Sequence, residues 1–71
     1  ELAGGLPQYA QLRAALGRLP DEQRTALLLG LLEGLSSTEI ATRLGVPVGT
    51  VKSRVHAAMQ KLRSELGDAN A

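Results

Sequence analysis

Residues 36–56, SSTEIATRLGVPVGTVKSRVH, decide how this chain folds. The stretch opens with a helix-start signal. Ser36 is followed three residues later by Glu39, the spacing of a capping box, in which a hydroxyl and a carboxylate satisfy each other's backbone N–H groups. Ser37 offers an alternative cap. Ile40, Ala41 and Leu44 recur at helical spacing and mark an inward face. Gly45 stands where a helix end favours a left-handed residue. Val46-Pro47-Val48-Gly49 reads as a short connection. Thr50 then opens a longer helix that runs to about Leu66, with Val51, Val55, Ala58, Met59, Leu62 and Leu66 on one face. Lys52, Ser53, His56, Gln60 and Arg63 fall away from that face.

Two helices joined by a turn containing glycine, the first about two turns long, predict a helix-turn-helix. Each part has a mechanical reason. Ala41 is small where the two helices must approach closely. Gly45 lets the chain leave the first helix at positive φ without a Cβ clash. Val46 is apolar just after the turn and plugs the gap. Val51 and Val55 anchor the second helix. The polar residues of its first two turns, Thr50, Lys52, Ser53 and His56, are thereby left pointing outward. Those residue types suit a DNA groove. Lysine donates to guanine, serine donates or accepts at several base edges, and threonine reaches a phosphate or touches a thymine methyl. The free N–H groups at a helix start suit a phosphate, and Ser37 and Thr38 are placed to offer the same. In this motif the first helix crosses the backbone while the second enters the major groove.

Outward from the motif the chain stays helical. Tyr9, Leu12, Ala15 and Leu16 share a face of a helix that begins at Gln8, weakens at Gly17 and stops at Pro20. Pro20-Asp21-Glu22 starts a second helix, where the missing proline N–H costs nothing and the acids meet the positive end of the dipole. Gly34 ends it. Its leucines, Leu27, Leu28, Leu29, Leu31, Leu32 and Leu35, cannot all face one core stripe. Either some are exposed or meet another chain, or the first helix covers them. The expected architecture is therefore all-α, a four-helix domain over residues 8–66 with a C-terminal helix-turn-helix. Residues 1–7 read as a linker remnant and residues 67–71 as a disordered tail.

Composition agrees with one small helical domain. The chain has 71 residues, 44% of them apolar, and no Cys, Trp or Phe. Disulfides and cysteine-ligated zinc are therefore excluded, and a single histidine, His56, argues against any metal site. No cofactor and no small-molecule substrate are expected. The scattered acids do not pair for acid–base chemistry, which argues against an enzyme. No apolar run is long enough to span a membrane, and a cytoplasmic setting is expected. Charge is unevenly placed. Residues 1–42 carry three basic and five acidic side chains, whereas residues 43–63 carry five basic ones (Arg43, Lys52, Arg54, Lys61, Arg63) and no acid. Such a local field attracts a phosphate backbone, although a solvated helix face has the same pattern.

Over residues 19–66 the chain resembles region 4 of bacterial extracytoplasmic-function sigma factors, in the sigma-70 family. Leu19-Pro20 with Arg24 matches an LPxxxR opening. Glu33-Gly34-Leu35-Ser36 with Glu39-Ile40-Ala41 matches eGLSxxEIA. Gly49-Thr50-Val51-Lys52-Ser53-Arg54-Val55 matches GTVKSR followed by an aliphatic residue. The resemblance implies a transcription-initiation domain that reads the -35 element of double-stranded promoter DNA. It also implies packing on the β-subunit flap of the RNA polymerase core and, in many members, inhibition by an anti-sigma factor. By position it assigns base reading to Lys52, Ser53 and His56. It places backbone contacts near Ser37, Thr38, Arg43, Thr50 and Arg54.

The chain departs from that pattern where relatives continue with Arg-Ala-Arg, since Ala57-Ala58-Met59 stands there. Two cations are absent, which should lower the salt slope of binding by about two units. Two alternatives share parts of the pattern. A LuxR/GerE-type output domain shares the GLSxxEIAxRL approach and the TVK start. Gly49, Ser53-Arg54 and the lack of a KLGV ending at Lys61-Leu62-Arg63-Ser64 argue against it. A sigma-like mimic that binds an anti-sigma factor instead of DNA would not need the missing cations, but would also not need Lys52, Ser53, Arg54 and Arg43.

Overall fold

In the computed structural model of the chain, residues 7–67 are described. Four helices follow one another: α1 (Pro7–Gly17), α2 (Asp21–Glu33), α3 (Ser37–Leu44) and α4 (Val48–Glu65). No strand occurs among the described residues. The all-α, four-helix architecture expected from the sequence is the one observed. Residues 1–6 and 68–71, most of the expected linker and tail, lie outside the described residues. Pro7, expected to close the linker, is the first residue of α1, a position where proline loses no helical hydrogen bond.

Helix ends follow local chemistry. Ser36 caps α3, so the alternative cap at Ser37 is not used. Glu39 N–H donates to Ser36 Oγ at 3.1 Å, and Ser36 N–H donates to Glu39 Oε1 at 2.8 Å. Gly45 closes α3 with φ 72°. The N–H groups of Gly45 and Val46 both donate to the Ala41 carbonyl, at 2.8 and 3.1 Å. The glycine bond is that of the left-handed helix cap and the Val46 bond closes a wider turn over the same carbonyl, and Val46 packs against the cluster of Ala26, Ile40, Ala41 and Val51. Gly34 closes α2 in the same left-handed region, with φ 67°.

The start of α4 corrects the sequence reading. Val48 and Gly49, expected in the connection, are helical, and α4 begins two residues before Thr50. The cause is Pro47, whose extended backbone (φ −63°, ψ 149°) turns its carbonyl into the helix, where Thr50 and Val51 donate to it at 3.0 and 3.3 Å. Gly49 suggested a loop, but here it is an ordinary first-turn residue with open space around it.

α4 packs on each of the other three helices, most extensively on α2. Its inward stripe joins two apolar clusters. One gathers Ala15, Leu19, Leu27, Ala58 and Leu62, at the meeting of α1, α2 and α4. The other gathers Ala26, Ile40, Ala41 and Val51, at the meeting of α2, α3 and α4. Val55 packs against both. The side chains are small, so the core buries little area per residue, and the folding margin of such a domain is narrow.

Several expected core residues are exposed instead. Tyr9 and Leu12 lie open, because α1 meets the core through Ala15 and Leu16 near its end, with Leu19 in the turn that follows. Arg13 sits 5.9 Å above the Tyr9 ring. Met59 and Leu66 are also exposed, at the margin of the inward stripe. The leucines of α2 divide. Leu27 is buried, Leu28, Leu29 and Leu35 are half-buried, and Leu31 and Leu32 are 66% and 77% exposed. α1 does not cover the last two.

Arg24 explains the LPxxxR pattern in physical terms. Its guanidinium donates to the Leu19 carbonyl at 2.9 Å, with longer contacts to Leu16 and Gly17 carbonyls, and is held by Asp21. It thus caps the C-terminal end of α1 from the first turn of α2, fixing the angle between them. Arg24→Ala is expected to cost about 1–2 kcal/mol, because a charged donor to the carbonyls at the end of α1 and in the turn after it is lost. Urea unfolding followed by circular dichroism checks it. Lysine at this position should restore only part, since it lacks the planar fork that serves several acceptors at once.

Candidate nucleic-acid interface

Helical spacing divides α4 into three stripes. Val51, Val55, Ala58 and Leu62 face the core. Lys52, His56, Met59 and Arg63, spaced four, three and four residues apart, form an exposed stripe. Ser53 and Gln60 flank it and are exposed too. Thr50, Arg54 and Ala57 form a third stripe and are half-buried. The three residues expected to read bases, Lys52, Ser53 and His56, therefore lie together on the outer surface of the first turns of α4.

The expected backbone contacts are more dispersed. Thr38 is exposed and Ser37 half-buried at the start of α3. The capping box uses the N–H of Glu39 and leaves those of Ser37 and Thr38 toward the outside, but it also sets the Glu39 carboxylate at that end. Arg43 is exposed in the last turn of α3, 3.5 Å from Glu33. Arg54 lines a depression of about 240 Å³ with Asp21, Glu22, Thr25 and Leu44. Two carboxylates thus share its surroundings, and it lies on a different stripe from Lys52.

The first turn of α4 has no acidic residue and no side-chain cap. Its free N–H groups and the positive dipole end are unopposed locally, which suits an anion. Of the two departures from the expected basic run, Met59 is the one on the Lys52 stripe. Ala57 is half-buried beside Arg54. Among the described residues no cluster of His, Cys, Asp and Glu is arranged to hold a metal ion. No helix there is long and apolar enough to cross a membrane.

Two functional details escaped sequence reading. Arg24 carried a motif match but no role, and its carbonyl partners depend on the turn at residues 18–20. Glu33 also carried only a motif match, and its pairing with Arg43 spans a helix end and a whole helix.

A capped short helix, a left-handed glycine turn and a longer helix presenting polar residues on its first turns define a helix-turn-helix domain. Comparison with known proteins specifies the type. Residues 9–62 match the family model described as Sigma-70, region 4. The chain is 53% identical over 57 residues to the ECF RNA polymerase sigma factor SigE of Mycolicibacterium smegmatis, covering 80% of this chain and 22% of that protein. It is 45% identical over 51 residues to the ECF RNA polymerase sigma factor SigW of Bacillus subtilis, covering 72% and 27%. It is 44% identical over 59 residues to the ECF RNA polymerase sigma factor EcfG of Rhodopseudomonas palustris, covering 83% and 33%. This chain belongs to the sigma-70 region 4 family. It spans between about a fifth and a third of the length of these relatives.

Proposed function

We propose that this domain reads the -35 element of promoter DNA on behalf of an RNA polymerase sigma factor, with α4 in the major groove. The observation that carries the reading is the exposed set Lys52, Ser53 and His56 on the first turns of α4, held outward by the Val51–Val55 seam. Lys52 and Ser53 donate to base edges, and His56 extends the contact one turn further. Thr38, Arg43 and the N–H groups at the starts of α3 and α4 meet phosphates, with Ser37 and Thr50 at the shoulders. Arg54, half-buried and sharing a depression with Asp21 and Glu22, is the less open of the two arginines expected to meet phosphates. The exposed Leu31 and Leu32 offer an apolar surface on α2 to the polymerase β-subunit flap or to an anti-sigma factor. The setting is the bacterial cytoplasm, where polymerase and promoter meet, and no chemical step is required of the domain.

Competition binding tests the reading. The domain should bind promoter duplex weakly, because one helix-turn-helix buries a small interface, and affinity should fall steeply with salt. A preference for a defined sequence over random duplex supports promoter reading. Met59, an apolar residue on the Lys52 stripe, favours one second reading, that of a sigma mimic which binds an anti-sigma factor. Absence of sequence preference even at low salt would favour the mimic.

A further inference from the structure

Glu33 is the last residue of α2. The C-terminal end of a helix carries partial negative charge, so an acid there is disfavoured. The last turn of α2 holds no basic residue to offset it. Among the described residues its charged partner is Arg43, at 3.5 Å, and both side chains are about half exposed, 53% for Arg43 and 51% for Glu33. An ion pair this long and this exposed contributes little to folding. The acid therefore stands where it weakens its own helix, beside a cation on the helix that crosses the DNA backbone.

We propose that Glu33 is the counterion which Arg43 exchanges for a DNA phosphate, and that it thereby lowers the affinity of the domain for any duplex. The inference rests on the proposed DNA reading, with Arg43 as a backbone contact. In the free protein the carboxylate holds the guanidinium. On docking, a phosphate oxygen takes its place, and the carboxylate is left close to the phosphate that displaced it. Both the lost pair and the new repulsion oppose binding. Neither depends on base sequence, because phosphate contacts position the protein without reading bases. Glu33 is thus a tuning residue: it keeps a single domain loosely bound until other contacts add to its own.

The test is Glu33→Gln in the 71-residue chain, with fluorescence anisotropy against a promoter duplex and a random duplex at several salt concentrations. Glutamine keeps the shape and removes the charge. Binding should tighten up to about fivefold at low salt, equally for both duplexes, the scale of an exposed ion pair. The gain should shrink when Arg43 is already alanine, because only the repulsion between carboxylate and phosphate is then left to relieve, and the urea midpoint of Glu33→Gln should not fall below that of the parent. An unchanged affinity, or a gain that persists in full beside Arg43→Ala, overturns the exchange while leaving DNA reading intact. If the parent chain binds neither duplex, the DNA reading itself falls, and the inference with it.

Discussion

Leu27→Ala is expected to cost about 2–5 kcal/mol of folding free energy, the range for removing a buried leucine and leaving a cavity. Leu27 is 3% exposed and sits in the cluster with Ala15, Leu19, Ala58 and Leu62. Its neighbours include two alanines, which cannot move to fill the space. A core of this size rarely supplies more than about 3–5 kcal/mol of net stability. The variant should therefore populate the unfolded state heavily, which a urea titration followed by circular dichroism would show as a lost or truncated transition. Leu32→Ala is the matched comparison: the same deletion on the same helix, at a residue 77% exposed, should stay within about 0.5 kcal/mol of the parent. Equal losses in the two variants would contradict the placement of α2.

The second large effect concerns recognition. Lys52→Ala is expected to cost about 1–3 kcal/mol of binding to the preferred duplex and to relax discrimination at one base position. Arg43→Ala should weaken all sequences alike and lower the salt slope by about one unit. The two residues lie on different helices, Lys52 in the second turn of α4 and Arg43 at the end of α3. Binding measured against a panel of single-base variants separates the two behaviours. Uniform losses for both would mean that α4 does not enter the groove through its Lys52 stripe.

Much of the fold was legible because it is written locally. The Ser36–Glu39 box and the glycines at 34 and 45 act within a few residues, and each does in the structure what its chemistry suggests. The start of α4 was misplaced for an equally local reason: Gly49 suggests a loop, whereas Pro47 already commits the chain to a helix. The exposure of Tyr9, Leu12 and Met59 was not legible. Periodicity says which residues share a face, but not how far the neighbouring helix extends beneath it. α1 meets α4 only near its own end, so half of its apolar face overhangs. For the interface, the surface location of Lys52, Ser53 and His56 followed from the anchoring of Val51 and Val55. The acidic surroundings of Arg54 and the Glu33–Arg43 pair depend on how helices distant in sequence are brought together, which no spacing rule contains.

The three stripes of α4 separate two kinds of information on a single element. Residues at 51, 55, 58 and 62 hold the body together, while those at 52, 53 and 56 face outward and lie outside both apolar clusters. Substitutions on the outer stripe leave the inner seam intact. If that stripe reads DNA as proposed, descendants of such a chain are free to acquire new sequence preferences one side chain at a time, each intermediate remaining folded, and a protein engineer has the same freedom.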